Sequence, residues 1–206
     1  MTRVPAATTY RDYIWDLGGT LLDNYASSTT AFVDTLAEEG ITATRAEVYR
    51  ALRVSTAYAV ETFAADVPGF LAEYKSAEAG ELATPMLFDG AYEVLGGVVE
   101  AGGRNFLVSH RDRQVLHLLA MTGIDGLFTA VVTADDGFPR KPDPSSIRHL
   151  VERYDLTDVV AVGDRPIDVE AAVAAGIDAI YFNGGRPCPG AERAIASLRE
   201  LLPIQA

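Results

Sequence analysis

Apolar positions fall into two kinds of run along this 206-residue chain. Brief runs that are continuously apolar, or nearly so, occur at 13–16, 105–109, 130–133, 159–162 and 179–182. Runs without polar alternation predict parallel strands covered on both faces. Between them the apolar residues recur at helical spacing, over 91–101, 114–121, 145–154 and 168–175, and the same spacing predicts a last helix over 191–202. Gly102, Gly123 and Gly176 follow three of these helices, where a left-handed closing residue is expected. Strand and helix in strict alternation predict an α/β fold with a doubly wound parallel sheet.

Residues 23–88 break the alternation and contain no convincing strand. Over 28–39, Phe32, Val33, Leu36 and Ala37 are expected on one face. Thr44-Arg45-Ala46-Glu47 is a capping box opening a helix that turns Val48, Ala51 and Leu52 inward. Pro68-Gly69 interrupts, and a helical pattern resumes over 70–83. The expected organisation is a core from 1–22 and 89–206 with an inserted all-helical cap, 23–88, packed over the carboxyl end of the sheet. The crossings near 22–24 and 85–89 would be its hinges. No internal repeat or low-complexity segment is visible.

Composition adds exclusions. Hydrophobic residues at 49% and charged residues at 22% are ordinary for a soluble globular protein. A formal net charge of −12 lacks the basic field that nucleic acid or an anionic membrane requires. Cys188 is the single cysteine, so no internal disulfide can form, as suits a reducing compartment. Residues 1–7 do not read as a signal peptide, and no apolar run approaches the ~18 residues of a membrane span. The expectation is a cytoplasmic monomer or homodimer with no nucleic-acid and no membrane partner.

Candidate chemistry lies at the strand ends. Asp16 closes the run Tyr13-Ile14-Trp15 and precedes Leu17-Gly18-Gly19-Thr20-Leu21. A carboxylate there projects into a glycine-rich turn at the carboxyl end of a strand, where open α/β sheets bind ligands. Leu107-Val108-Ser109, Arg140-Lys141-Pro142-Asp143 and Gly163-Asp164-Arg165-Pro166-Ile167-Asp168 stand at corresponding places. Each has a plainer reading alone: Asp16 as a helix cap, Ser109 as structural, Lys141 as a solvated loop charge, Asp164 and Asp168 as a cap and a first-turn acid. Jointly they point to magnesium-assisted phosphate chemistry with an aspartate nucleophile. Lys141 is one of two lysines, with Lys75, in a chain that otherwise carries arginine. His117 and His149 read as helix residues, and no His/Cys cluster suggests zinc.

The ordered set resembles the haloacid dehalogenase-like superfamily. Asp16-Leu17-Gly18-Gly19-Thr20 is similar to its first motif, commonly Asp-x-Asp-Gly-Thr. Ser109 after its strand resembles the second, Lys141-Pro142 the third, and Gly163-Asp164 with Asp168 the fourth. A helical insertion just after the first motif resembles the family's C1-type cap. The resemblance implies that Asp16 attacks phosphorus, and that Mg²⁺ is held by Asp16, Asp164 and the backbone carbonyl of Gly18, with Asp168 as a ligand or as the residue orienting Lys141. It implies that Lys141 neutralises the reacting groups and that Ser109 with the amides around Gly18 and Gly19 cradles a small phosphorylated substrate. Thr20 would fix the turn carrying Asp16.

Gly18 departs from the family pattern, because phosphatases of the family carry an Asp there as general acid and base. The departure puts fast phosphomonoester hydrolysis in doubt. A substrate with a good leaving group would not need the acid. Asp23, His110 or Arg111 would otherwise have to supply it, and His110 and Arg111 are also candidate substrate contacts. Arg165 stands where the family often has Ser or Thr and would bind an anion or pair with Asp168. In the cap, Arg53 and Tyr58 are the weaker candidates. Two alternatives stay open: a non-catalytic phosphate- or metabolite-binding protein, and a phosphonate-type hydrolase, whose Schiff-base lysine would have to be Lys75.

Overall fold

The computed structural model describes residues 10–81 and 85–204. The chain divides into two compact units, one formed by Met1–Leu21 with Leu87–Ala206 and the other by Leu22–Met86.

The first unit is a six-stranded, all-parallel sheet. Its strands are β1 (Asp12–Trp15), β2 (Arg104–Val108), β3 (Phe128–Val132), β4 (Val159–Gly163), β5 (Asp178–Phe182) and β6 (Arg193–Ile195), in the order β3-β2-β1-β4-β5-β6. β1 is central, with Ile14 beside Phe106 of β2 and Ala161 of β4. The four inner strands, β2, β1, β4 and β5, form because β-branched and aromatic side chains pack well on a pleated surface buried from both sides.

One face of the sheet gathers Ile14, Phe106, Val108, Ala161 and Ala179 with Ile147 and Leu150 from a helix at Ser145–Arg153 and Val169 and Ala172 from a helix at Pro166–Ala175. On the other face Tyr13 stacks on Trp15 at 5.4 Å between ring centres. The Trp15 indole N–H donates to Asn105 Oδ1 at 2.9 Å, and the Asn105 amide donates to the carbonyls of Leu95 and Leu127. Asn105 is fully buried, and these bonds remove the cost of an unsatisfied amide.

Among the described residues the inserted unit is four helices: α1 (Asn24–Glu38), α2 (Arg45–Leu52), α3 (Thr56–Phe63) and α4 (Phe70–Glu81). Numbering continues with α5 (Ala91–Glu100), α6 (Gln114–Thr122), α7 (Ser145–Arg153) and α8 (Pro166–Ala175) in the first unit. The Thr44 capping box is present at the start of α2, and Ser55 caps α3 through the N–H of Tyr58. Phe32 centres this core, 4.9 Å from both Phe70 and Tyr74. Glu78 accepts from Ser28 at 2.6 Å and from Tyr74 at 2.5 Å, tying α1 to α4.

Three expectations need correction. Residues 191–202 do not form a helix: they form β6 and a 3₁₀ turn at Leu198–Leu201, capped by Ser197. Ile195 is buried beside Phe182, a non-local pairing that outweighs the helical spacing. α3 was not expected at all. Ala37 is exposed, and Ala31 and Thr35 complete the buried face of α1 instead. The last residues of the expected 70–83 helix lie outside the described residues. Gly102, Gly123 and Gly176 do adopt positive φ, at 80°, 71° and 83°.

Candidate active site

The order β3-β2-β1 reverses to β4-β5-β6 between β1 and β4. Neighbouring loops diverge there, which opens a crevice at the carboxyl ends of those two strands. Asp16 is the residue after β1, and Asp164 is the residue after β4. Asp16 stays in strand register through its N–H, which donates to the Val162 carbonyl at 2.9 Å.

Two glycines make the close approach possible. Gly19 has φ +92°, and a Cβ there would stand 2.4 Å from Asp164 Oδ2. Gly163 ends β4, and a Cβ there would stand 2.3 Å from the Asp168 Cβ. Any side chain at either place would push a carboxylate out of the crevice. Thr20 donates to Asp164 Oδ1 at 3.4 Å, so its hydroxyl fastens Asp164 rather than the turn carrying Asp16.

Asp168 lies in the first turn of α8. Its Oδ2 accepts the Arg165 N–H at 3.0 Å, as first-turn carboxylates do, and Oδ1 is left for Lys141. The Lys141 ammonium sits 2.5 Å from Asp16 Oδ1 and 2.6 Å from Asp168 Oδ1, with its side chain 3% exposed. Asp16, Asp164 and Asp168 each place one carboxylate oxygen within 4.8 Å of the others.

The charges do not balance. Three buried carboxylates face one buried ammonium. Burial alone would lower the Lys141 pKa, but Asp16 and Asp168 overcome it and raise it. Burial raises the Asp16 carboxyl, Lys141 opposes that, and Asp168 adds to it. A divalent cation would close the deficit. Hard carboxylate oxygens converging in a buried cluster are the donors that Mg²⁺-like ions take, so the residues present fit such an ion.

Ser109 follows β2, with its N–H on the Val132 carbonyl at 2.9 Å and its hydroxyl accepting the Arg111 N–H at 3.2 Å. The Arg111 side chain is exposed. His110 serves the site from behind: its Nε2 accepts the Lys141 main-chain N–H at 2.7 Å. Burial first, then the Lys141, Arg140 and Arg165 charges, push its pKa down to about 4. It is therefore neutral at pH 7, as an acceptor must be, and it holds the loop that presents Lys141. Gly18 is half-buried two residues beyond Asp16.

Several candidates are engaged in the inserted unit. Asp23 caps α1, accepting from the Ala26 N–H at 3.1 Å and the Tyr49 hydroxyl at 3.4 Å. The Arg53 guanidinium lies 5.5 Å from the Tyr25 ring centre. Tyr58 is on α3 and exposed. Lys75 pairs with Glu78 at 2.5 Å. In the first unit His149 packs at 5.0 Å on Phe138, and His117 is an exposed residue of α6. No helix among the described residues is long and apolar enough to cross a membrane.

Known proteins resemble the chain over this same framework. A hydrolase of solved structure from Streptococcus pneumoniae TIGR4 is 50% identical, with a TM-score of 0.82 over 94% of this chain and 98% of that one. A plasmid-encoded phosphoglycolate phosphatase of Cupriavidus necator is 32% identical over 114 residues, 54% of this chain and 49% of its own length. The pyrophosphatase PpaX of Bacillus velezensis is 35% identical over 92 residues, 43% of each chain. The chain thus spans about half the length of these two curated relatives, 49% and 43%. The family model described as haloacid dehalogenase-like hydrolase matches residues 13–182, from β1 to the end of β5. Asp16, Lys141, Asp164 and Asp168 all lie inside that match, and the chain belongs to the haloacid dehalogenase-like hydrolases.

Proposed function

We propose that this chain is a Mg²⁺-dependent phosphatase of small phosphorylated metabolites that works through an aspartyl-phosphate on Asp16 and favours good leaving groups. The observation that carries this reading is Lys141, buried between Asp16 and Asp168 beside a third carboxylate. A structural ion pair needs no third acid, whereas phosphoryl transfer needs positive charge on both the nucleophile and the transferring group. Mg²⁺ held by Asp16, Asp164 and the Gly18 carbonyl, with Asp168 nearby, would cancel the repulsion between a carboxylate and a phosphate.

The chain's own residues do the rest. Lys141 holds the Asp16 carboxylate in place as a compact charge. The Ser109 hydroxyl and the amides around Gly18 and Gly19 bind the phosphate oxygens. An Asp16 oxygen forms the new bond to phosphorus, and the bond to the leaving oxygen breaks with its electron pair. Water then displaces Asp16 and releases phosphate. Gly18 offers no proton to the leaving oxygen, and the help it forgoes is worth about 10²–10⁴-fold. The relative that hydrolyses phosphoglycolate makes that compound the first metabolite to try. Gly18 is also what favours a second reading, a protein that binds phosphorylated metabolites without turning them over.

Hydrolysis of para-nitrophenyl phosphate and acetyl phosphate, with and without Mg²⁺, decides between them, since neither leaving group needs protonation. The expected result is Mg²⁺-dependent turnover of both that disappears in Asp16→Asn while the circular dichroism spectrum is kept. No turnover by a chain that calorimetry shows to bind Mg²⁺ would favour the binding protein. Turnover that survives in Asp16→Asn would remove Asp16 as nucleophile.

A further inference from the structure

The loops that deliver the site also deliver guanidinium groups. Arg111 stands two residues beyond Ser109, Arg140 just before Lys141 and Arg165 just after Asp164, and all three side chains are exposed. Lys141 alone of these cations is buried. Acids of the same loops cap helix and turn starts: Asp112 accepts the Gln114 N–H at 2.9 Å, Asp143 the Ser145 N–H at 2.9 Å and Asp136 the Thr133 N–H at 2.7 Å. The charges of Arg140 and Arg165 both reach the His110 ring, and that of Arg165 reaches Asp16.

We propose that Arg140 and Arg165 receive a leaving group that is itself an acid anion, so that the preferred substrates are phosphoanhydrides, in which the phosphoryl group is bonded to an oxygen of a second acid. This rests on the phosphatase reading above and names its substrate class. Two features that look unrelated become one. Without a proton donor at Gly18, the leaving oxygen must depart with its negative charge. A guanidinium binds a carboxylate or phosphate in bidentate fashion, and a charge that develops as the bond breaks is held more tightly in the transition state than in the substrate. In the step itself an Asp16 oxygen bonds to phosphorus, the bond from phosphorus to the bridging oxygen breaks, and the electron pair stays on that oxygen. The leaving acid departs as its anion with no proton taken up. Water then attacks the aspartyl-phosphate, restoring the Asp16 carboxylate and yielding inorganic phosphate and one proton to solvent.

The test compares inorganic pyrophosphate, acetyl phosphate and para-nitrophenyl phosphate as substrates, with Mg²⁺, in the native chain, Arg165→Gln, Arg165→Lys and Arg140→Gln. The native chain should prefer the two anhydrides. Arg165→Gln should lose about 10- to 100-fold more kcat/KM on pyrophosphate than on para-nitrophenyl phosphate, and Arg165→Lys should recover part of it. On acetyl phosphate the loss should fall on kcat rather than KM, because its acyl end is uncharged until the bond breaks. Binding gives a readout apart from turnover: the affinity ratio of methylenediphosphonate to methylphosphonate should drop in Arg165→Gln and in Arg140→Gln. A larger loss on pyrophosphate alone identifies the leaving acid as a phosphate, and losses on both anhydrides identify any acid. Equal losses on all three substrates, or none, with an unchanged binding ratio, would overturn the proposal. Turnover of para-nitrophenyl phosphate alone would remove the role given to Arg140 and Arg165 and spare the phosphatase. No turnover of any of the three would remove both.

Discussion

Replacing Lys141 with methionine keeps the volume of the side chain and deletes its charge. In the native chain one ammonium lies 2.5 Å from Asp16 and 2.6 Å from Asp168, with the lysine side chain 3% exposed. Removing it strands two buried carboxylates next to a third. Breaking a buried ion pair by deleting one partner costs about 3–5 kcal/mol. For a chain of this length a kcal/mol moves Tm by about 2–4 °C, so the metal-free variant should melt roughly 6–20 °C lower at pH 8. The pH dependence has a definite sign. Asp16 already has a folded-state pKa above its ordinary 3.8, because of burial and against the pull of Lys141. Losing that pull raises it further. The folded variant then binds this proton more tightly than the unfolded chain, so the stability it confers is present at low pH and is lost as pH rises through the folded pKa. The Lys141 contribution, from a pKa raised above 10.5, is constant over the range tested. The Tm deficit of Lys141→Met should therefore shrink from pH 8 to pH 5. Saturating Mg²⁺ should restore more of it in the variant than in the native chain. Differential scanning calorimetry in chelator, repeated with Mg²⁺, reads all three. A deficit below about 2 °C at pH 8, or one that grows toward pH 5, would refute the charge-deficit account of the site.

Two further substitutions probe the site's shape. Gly163→Ala places a methyl 2.3 Å from the Asp168 Cβ, an overpacking expected to cost about 1–3 kcal/mol in urea unfolding and to weaken Mg²⁺ binding measured by calorimetry. Gly18→Asp supplies the missing acid and should raise kcat on phosphoglycolate, an ester with a poor leaving group, by about 10²–10⁴-fold while changing acetyl phosphate turnover far less.

Asp16 and Asp164 were legible in the sequence because each ends a continuously apolar run, and a buried parallel strand leaves its last residue at the sheet's carboxyl edge. Lys141 and Asp168 were legible only through the motif order, since nothing local brings them together. Contacts between loops were not legible. The His110 bond to the Lys141 main chain spans residues 110 to 141, and the Thr20 bond to Asp164 spans 20 to 164. A histidine beside a phosphate motif reads as chemistry, while here its Nε2 supports a backbone. β6 was missed because Ala194, Leu198, Leu201 and Leu202 carry a helical spacing, and only the pairing of Ile195 with Phe182 decides against it. α3 was missed although Ser55 is a good cap, because Val54 and Tyr58 are exposed and blur the apolar stripe.

The insertion begins and ends at almost the same point. The Phe88 N–H donates to the Leu21 carbonyl at 2.9 Å, and the Asp23 N–H donates to the Met86 carbonyl at 2.8 Å. In topological terms, 65 intervening residues, Leu22–Met86, amount to a loop tied off at its neck. Such a segment can be lengthened, trimmed or exchanged through descent without shifting the register of a single strand. A change of length between Leu22 and Met86 is thereby confined to the inserted unit, because both ends of the segment are fastened by main-chain bonds.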